Sequence, residues 1–221
     1  MTTTTAPEYL RQGNMLEKII RHWAFWVVFL VAGFSYPIYR SIYRTLPPEL
    51  PIIAHVPEFT LTSENNQPFG SKDLKDRIYL ANFVFASCPS VCPKMLMELE
   101  KIQNRVRGTG RKVAIVTFTV DPDHDKPHVL FDLARKHKAS PFTWTFLTGT
   151  DKAALFKLYN EGFKVPAEQS STNLFDIAHS QKIVLVDQEN RIRGYYDFDK
   201  DSVNQLMIDV GLLINRPITK E

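Results

Sequence analysis

FASCPSVCP, at residues 85–93, decides the fold of this chain and holds both of its cysteines. A largely apolar run over 78–85 precedes it and predicts a buried strand. Apolar residues then recur every three or four positions, which predicts an amphipathic helix over 93–107: Met95, Leu99, Ile102 and Val106. Cys88 and Cys92 therefore lie in a strand-to-helix turn, with Cys92 at or near the first helical turn.

The position of these two cysteines favours a redox or metal role. Unpaired backbone N–H groups at a helix start favour thiolate over thiol, so we expect Cys92 to ionise easily. The four-residue spacing brings two sulfurs within reach of a disulfide or a shared metal ion. Inert core cysteines and a purely structural disulfide are the alternatives, although a small loop gains little from a crosslink. A metal site here needs a third ligand from elsewhere, because two thiolates are too few for a closed site.

Composition excludes several other classes of protein. The 221 residues are 44% hydrophobic, which supports one real core with appendages. The net charge of +3 is too small to indicate nucleic-acid binding, and the sequence contains no glycine-rich phosphate loop. Two cysteines are also too few for a disulfide framework.

The N-terminal quarter of the chain carries the signals for location. Residues 22–39 contain no Asp, Glu, Lys or Arg, and they predict a single transmembrane anchor. A cleaved signal peptide and a buried helix are the alternatives. Slightly more Lys and Arg residues precede this run than closely follow it, which predicts that 1–21 is cytoplasmic. The protein is therefore expected in a bacterial inner membrane, with its domain in the periplasm. A proline-rich spacer over 40–57, a domain over 58–215 and a tail over 216–221 follow.

The order of predicted elements in the domain is that of an α/β protein. An opening hairpin extension is followed by strand, helix, strand, helix, strand, helix, hairpin and helix. This layout, with the cysteine turn after the first buried strand, predicts a thioredoxin-like fold with a central mixed sheet flanked by helices. The predicted helices are 93–107, 127–138, 150–161 and 202–214, and the predicted strands are 78–85, 113–120, 142–147, 181–187 and 191–198.

The predicted fold indicates where a third ligand would come from. In thioredoxin-like proteins the loop before the final hairpin folds back against the cysteine turn, and here that loop contains His179. The remaining histidines are expected to be solvated, with His124 retained as an accessory group. Asp121 and Asp125 flank His124 in an acidic loop, where they either orient a ligand or simply form the turn.

The cysteine stretch resembles the signature of the Sco/SenC family, which comprises membrane-anchored, thioredoxin-like proteins that bind copper and help assemble cytochrome c oxidase. The similarity continues through VDPDHD at 120–125, LTGT at 147–150 and AHS at 178–180. It implies that Cys88, Cys92 and His179 bind copper. The chemistry agrees, since soft thiolates select Cu(I) and an imidazole accommodates Cu(II).

The resemblance implies a copper metallochaperone that supplies the binuclear copper centre of cytochrome c oxidase subunit II. A periplasmic thioredoxin-like reductant or another copper chaperone would be a further partner. The alternative is a membrane-anchored thiol–disulfide oxidoreductase that uses a Cys88–Cys92 redox disulfide on that subunit or on other periplasmic proteins. A peroxidase of the same fold is a weaker third alternative.

Overall fold

The computed structural model describes residues 22–43, 49–88, 92–165 and 181–215. The chain forms two compact units, Met1–Glu49 and Leu50–Glu221. The predicted cytoplasmic segment 1–21, the predicted ligand His179 and the predicted tail 216–221 lie outside the described residues.

The described part of the first unit is one helix, α1 (Trp23–Ile42), with Pro37 inside it. Large apolar side chains are exposed along its length, among them Trp23, Phe34 and Tyr39. In the described part of the chain, no helix combines the length and the hydropathy that a membrane crossing requires. The predicted anchor at 22–39 is therefore not confirmed.

The described residues of the second unit form one eight-stranded mixed sheet. Its strands are β1 (Ala54–His55), β2 (Thr60–Ser63), β3 (Pro68–Gly70), β4 (Ile78–Val84), β5 (Val113–Thr119), β6 (Trp144–Thr148), β7 (Lys182–Val186) and β8 (Arg191–Asp197). They lie in the order β1-β8-β7-β4-β5-β6-β2-β3. β4, β5 and β6 are parallel, and the other neighbouring pairs are antiparallel. Both β4 and β5 are buried along their whole length, as their apolar sequences predict.

Helices cover both faces of this sheet and enclose two apolar clusters. One cluster lies beneath α2 (Cys92–Val106), α3 (Pro127–Lys136) and α5 (Lys200–Asn215). The other lies beneath α4 (Lys152–Lys157) and the π-helical turn Leu158–Gly162. Short 3-10 helices occupy Ser71–Leu74 and Arg107–Thr109. The predicted mixed sheet flanked by helices, with an opening hairpin made by β2 and β3, is confirmed.

The structure differs from the predicted spacer over 40–57, because its last part belongs to the domain. Ala54 pairs with Ile192 of β8, and the Arg193 guanidinium donates a hydrogen bond to the Leu50 carbonyl. Val56 is buried in the second apolar cluster. Prolines exclude helix but are tolerated beside an edge strand, so a proline-rich run is compatible with β1.

A buried polar network fixes the strand that leads to the cysteines. The Thr117 hydroxyl of β5 donates to Asn82 Oδ1 of β4 at 2.9 Å. The same hydroxyl oxygen accepts a hydrogen bond from Trp144 Nε1 of β6 at 2.8 Å. All three side chains are fully buried, so an unpaired member would be costly. The network therefore holds β4 in one register against β5 and β6.

Candidate metal centre

The two cysteines meet where β4 gives way to α2. After β4 the chain turns tightly, with the Cys88 N–H donating to the Phe85 carbonyl at 3.2 Å. α2 begins at Cys92, and the Cys92 backbone N–H donates to Cys88 Sγ at 3.4 Å. The Cys88 sulfur therefore lies at the N-terminal end of α2. Both residues are thiols, and the intervening residues 89–91 lie outside the described part.

The prediction that Cys92 ionises easily is wrong. Cys92 is only 2% exposed and Cys88 only 7% exposed. Burial, together with the hydrogen bond to the Cys88 side chain, raises the pKa of Cys92 to about 12. The Cys92 backbone N–H donates to Cys88 Sγ, and the backbone hydrogen bonds that lower the pKa of Cys92 have a smaller effect than burial. Loss of solvation thus outweighs the helix terminus at this position.

The acidic loop after β5 is joined to the cysteine turn through Asp125. One carboxylate oxygen of Asp125 accepts a hydrogen bond from the Ala86 N–H at 3.0 Å and another from the Thr119 hydroxyl. Asp125 is almost completely buried, and this burial raises its pKa. The Val120 N–H also donates to the Val84 carbonyl at 2.9 Å. Of the two predicted acidic residues, Asp125 is thus directly bonded to the turn that carries Cys88.

Asp121 is bonded to the accessory histidine. The Nδ1 atom of His124 lies 2.9 Å from the buried Asp121 carboxylate, and this contact raises the pKa of His124. The Asp121 N–H donates to the Thr119 hydroxyl oxygen, so Thr119 connects both aspartates. Thr119 was missed by sequence reasoning, because a threonine at a strand end carries no signal of such a role.

The prediction of solvated histidines holds at three of the four positions. His22, His55 and His128 are exposed. His137 is buried instead, with its Nδ1 atom 2.6 Å from the Glu100 carboxylate of α2. This pair joins α3 to the helix that begins at Cys92, so His137 has a structural role.

The described residues supply two sulfur donors to a metal and do not complete a site. In that part of the chain, no three His, Cys, Asp or Glu side chains converge on one point. Two adjacent reduced thiols fit a soft ion such as Cu(I). The predicted third ligand, His179, lies outside the described residues, so the three-ligand set stays a prediction.

The raised pKa of Cys92 predicts slow, strongly pH-dependent alkylation of the metal-free protein. At pH 8 we expect iodoacetamide to modify Cys92 roughly 100- to 1,000-fold more slowly than in the urea-unfolded chain, because only the thiolate reacts. The rate should rise about tenfold per pH unit up to the folded pKa. The raised pKa of Cys92 stabilises the folded protein at a pH below the pKa that Cys92 has in the unfolded chain. This stabilisation should be lost as the pH rises from that value towards the folded pKa of about 12.

Mass spectrometry of the peptide that carries both cysteines would assign each modified sulfur. Cys92 in the unfolded chain is the matched control. A Cys92 rate that levels off near pH 7 would contradict this account, since it would show an acidic thiol.

Comparisons with known proteins agree with the resemblance in the sequence. Residues 51–212 match the SCO1/SenC family. The SCO1 protein homolog of Bacillus subtilis is 25% identical over 161 residues, which are 72% of this chain and 83% of that protein. A putative copper-binding protein of Stutzerimonas stutzeri is 29% identical over 149 residues, which are 66% of this chain and 71% of that protein.

Solved structures show the same fold. A SCO1/SenC family lipoprotein from Bacillus anthracis has a TM-score of 0.64 at 26% identity, covering 74% of this chain and 96% of that one. BsSco is a member of the Sco family of cytochrome c oxidase assembly proteins, and a disulfide switch was identified in it. It has a TM-score of 0.65 at 22% identity, covering 77% of this chain and 99% of that one. The predicted thioredoxin-like architecture of the domain is thereby confirmed. Because the family match spans most of the chain and includes the whole cysteine turn, this chain belongs to the SCO1/SenC family.

Proposed function

We propose that this chain is a copper metallochaperone that delivers copper to the binuclear copper centre of cytochrome c oxidase subunit II during assembly. The observation that carries the proposal is the pair of buried, reduced cysteines at the start of α2, with the Cys92 N–H directed at Cys88 Sγ. Family membership supports the proposal. The likeness to ScoI of Bradyrhizobium japonicum, which was solved with copper bound, supports it too. That likeness has a TM-score of 0.56 at 22% identity and covers 72% of this chain and 99% of that one.

The proposed ligands are the thiolates of Cys88 and Cys92 and the imidazole of His179. Two sulfurs and one nitrogen suit both Cu(I) and Cu(II), and a three-ligand site leaves room for an incoming ligand of the recipient. Because the ligand form of cysteine is the thiolate, Cys92 must release its proton as copper binds. A periplasmic thioredoxin-like reductant or another copper chaperone would prepare and fill the site.

Burial of Cys92 has a consequence for the empty protein. A thiol with a pKa of about 12 stays protonated at neutral pH, and oxidation proceeds through the thiolate. Cys92 is therefore slow to start a disulfide in the metal-free protein until a copper ion replaces its proton. This protection favours the chaperone over the second candidate, a thiol–disulfide oxidoreductase, because an efficient reductant needs an accessible thiolate. The oxidoreductase is retained because the Cys92 thiol is hydrogen-bonded to the Cys88 side chain at the turn.

We assign Asp125 a positioning role for the copper site. Its carboxylate holds the Ala86 N–H two residues before Cys88, and Thr119 holds the carboxylate in turn. The bond from Thr119 is buried and the bond from Ala86 is partly buried, so they constrain the cysteine turn more strongly than a solvated contact would. Asp121 orients His124 on the same loop and is assigned a weaker, indirect role.

Asp125→Ala should weaken copper binding and stability together. Removal of the carboxylate takes away the hydrogen-bond acceptor that the Ala86 N–H and the Thr119 hydroxyl share. This loss should lower the free energy of unfolding by about 1–3 kcal/mol. Loss of an outer partner of a metal ligand typically lowers metal affinity by about 10- to 100-fold. Cu(I) affinity by competition with a chromophoric chelator and urea unfolding would measure the two effects.

Asp123→Ala is the matched control, since the Asp123 side chain is 66% exposed and should change stability by less than about 0.5 kcal/mol. Asp125→Asn keeps one acceptor oxygen and should restore part of the copper affinity. Equal copper affinity in the Asp125→Ala and wild-type proteins would remove Asp125 from the site.

Copper loading should require the reduced cysteine pair and His179. We expect the reduced protein to bind one copper ion and the oxidised protein to bind copper poorly, because a disulfide sulfur is not a thiolate ligand. Cys88→Ser and Cys92→Ser should lose copper and fail to support oxidase assembly. His179→Ala should keep the Cys88–Cys92 dithiol redox couple and lose stable Cu(II), while His128→Ala, at an exposed position, should behave as wild type.

Metal analysis of reduced and oxidised samples, side by side, would test these expectations. Equal, tight loading of both forms would show that the disulfide has no part in delivery. A His179→Ala protein that keeps wild-type copper affinity would eliminate the three-ligand site and favour the oxidoreductase.

We also propose that the chain resides at the bacterial inner membrane with its domain in the periplasm. The uncharged run at 22–39 and the exposed apolar side chains of α1 support this location. We expect the full chain to stay with the membrane fraction after carbonate extraction and to be cleaved by protease added to spheroplasts. A variant without residues 1–49 is the control and should be released. Protection of the full chain from protease in spheroplasts would contradict the proposal.

A further inference from the structure

Met95 lies one turn after Cys92 on α2 and shares its environment. Its side chain is only 1% exposed. It belongs to the same buried apolar cluster as Cys88 and Cys92. Among the residues that the structure describes, this cluster thus brings a thioether and two thiols to one end of one helix.

The geometry of an α-helix directs this thioether towards the cysteines. Residues three apart on a helix are neighbours, with about 5–6 Å between their Cβ atoms. Side chains on a helix also tilt towards its N-terminus, so Met95 covers the turn that contains Cys92. Cys88 Sγ lies at that same end, because it accepts the Cys92 N–H. The long, unbranched methionine side chain has the reach and rotational freedom to follow a metal ion placed there.

We propose that the Met95 thioether is a further ligand of copper in the Cys88–Cys92 site and that it acts on Cu(I) in particular. The inference rests on the proposed function, since it needs copper to be bound by these two cysteines. The step is a simple coordination in which Met95 Sδ donates an electron pair to Cu(I), without transfer of a proton or an electron between groups.

The chemistry of a buried site favours a thioether in this role. A thioether is soft, so it prefers Cu(I) to Cu(II). It is neutral and has no proton to release, so its coordination adds no charge to a buried site. A ligand that binds Cu(I) more strongly than Cu(II) raises the Cu(II)/Cu(I) potential, which would keep the cargo in the reduced state.

Met95→Leu is the variant that tests the inference, because leucine keeps the apolar volume and removes the sulfur. Met97→Leu is the matched control, since Met97 is on the same helix and 51% exposed. In the full-length reduced protein, we expect Met95→Leu to lower the Cu(I) affinity about tenfold and to leave the Cu(II) affinity unchanged. The Cu(II)/Cu(I) potential should then fall by about 59 mV, the one-electron equivalent of a tenfold change.

A second measurement leaves the sequence intact. Selenomethionine-labelled wild-type protein loaded with Cu(I) should show a copper neighbour in its selenium K-edge absorption, and labelled Met95→Leu protein should not.

Wild-type Cu(I) affinity and potential in Met95→Leu, or an absence of copper around selenium, would overturn the inference while the copper-chaperone function stood. Equal losses in Met95→Leu and Met97→Leu would overturn it as well, because they would show an effect unrelated to the site. If the wild-type protein bound no copper, the proposed function itself would fail, and the inference would fail with it.

Discussion

Burial of two thiols at the first turn of a helix is the constraint on which the rest of this structure depends. A helix start favours a thiolate, but the loss of solvation at Cys92 is larger, and its pKa rises to about 12. Cys92 is thus stable as a neutral thiol in the metal-free protein. A soft monovalent ion that takes the place of a proton can stabilise the thiolates that water cannot reach.

The scaffold around this turn is built to hold it in one place. The Asn82–Thr117–Trp144 network fixes the strand that enters the turn, and the bond from Ala86 to Asp125 fixes its first residues. On the far side, His137 and Glu100 join α2 to the neighbouring helix. These contacts are buried or partly buried, so a change in the turn would leave polar groups unpaired. A metal centre whose ligands arrive from separate elements needs this kind of support.

Much of the fold could be predicted from the sequence, because apolar periodicity reports burial directly. The strands beginning at Ile78 and Val113 and the helix after the cysteines were placed within two residues. Strand β1 was missed, because two residues paired at a sheet edge leave no pattern in a proline-rich run. The ionisation of Cys92 and the burial of His137 were predicted wrongly, since both depend on packing between distant elements. In the sequence, Thr119 is visible only as the end of a strand, and Met95 only as part of an apolar helix face. Neither pattern indicates a further role for the residue.

Copper binding by Cys88 and Cys92 together, at the start of α2, can be tested by copper K-edge X-ray absorption on the reduced, full-length protein loaded with one equivalent of Cu(I). We expect a first shell dominated by sulfur in the wild-type protein, with fewer sulfur neighbours in Cys88→Ser. A first shell made only of nitrogen and oxygen, or a spectrum that Cys88→Ser leaves unchanged, would contradict it.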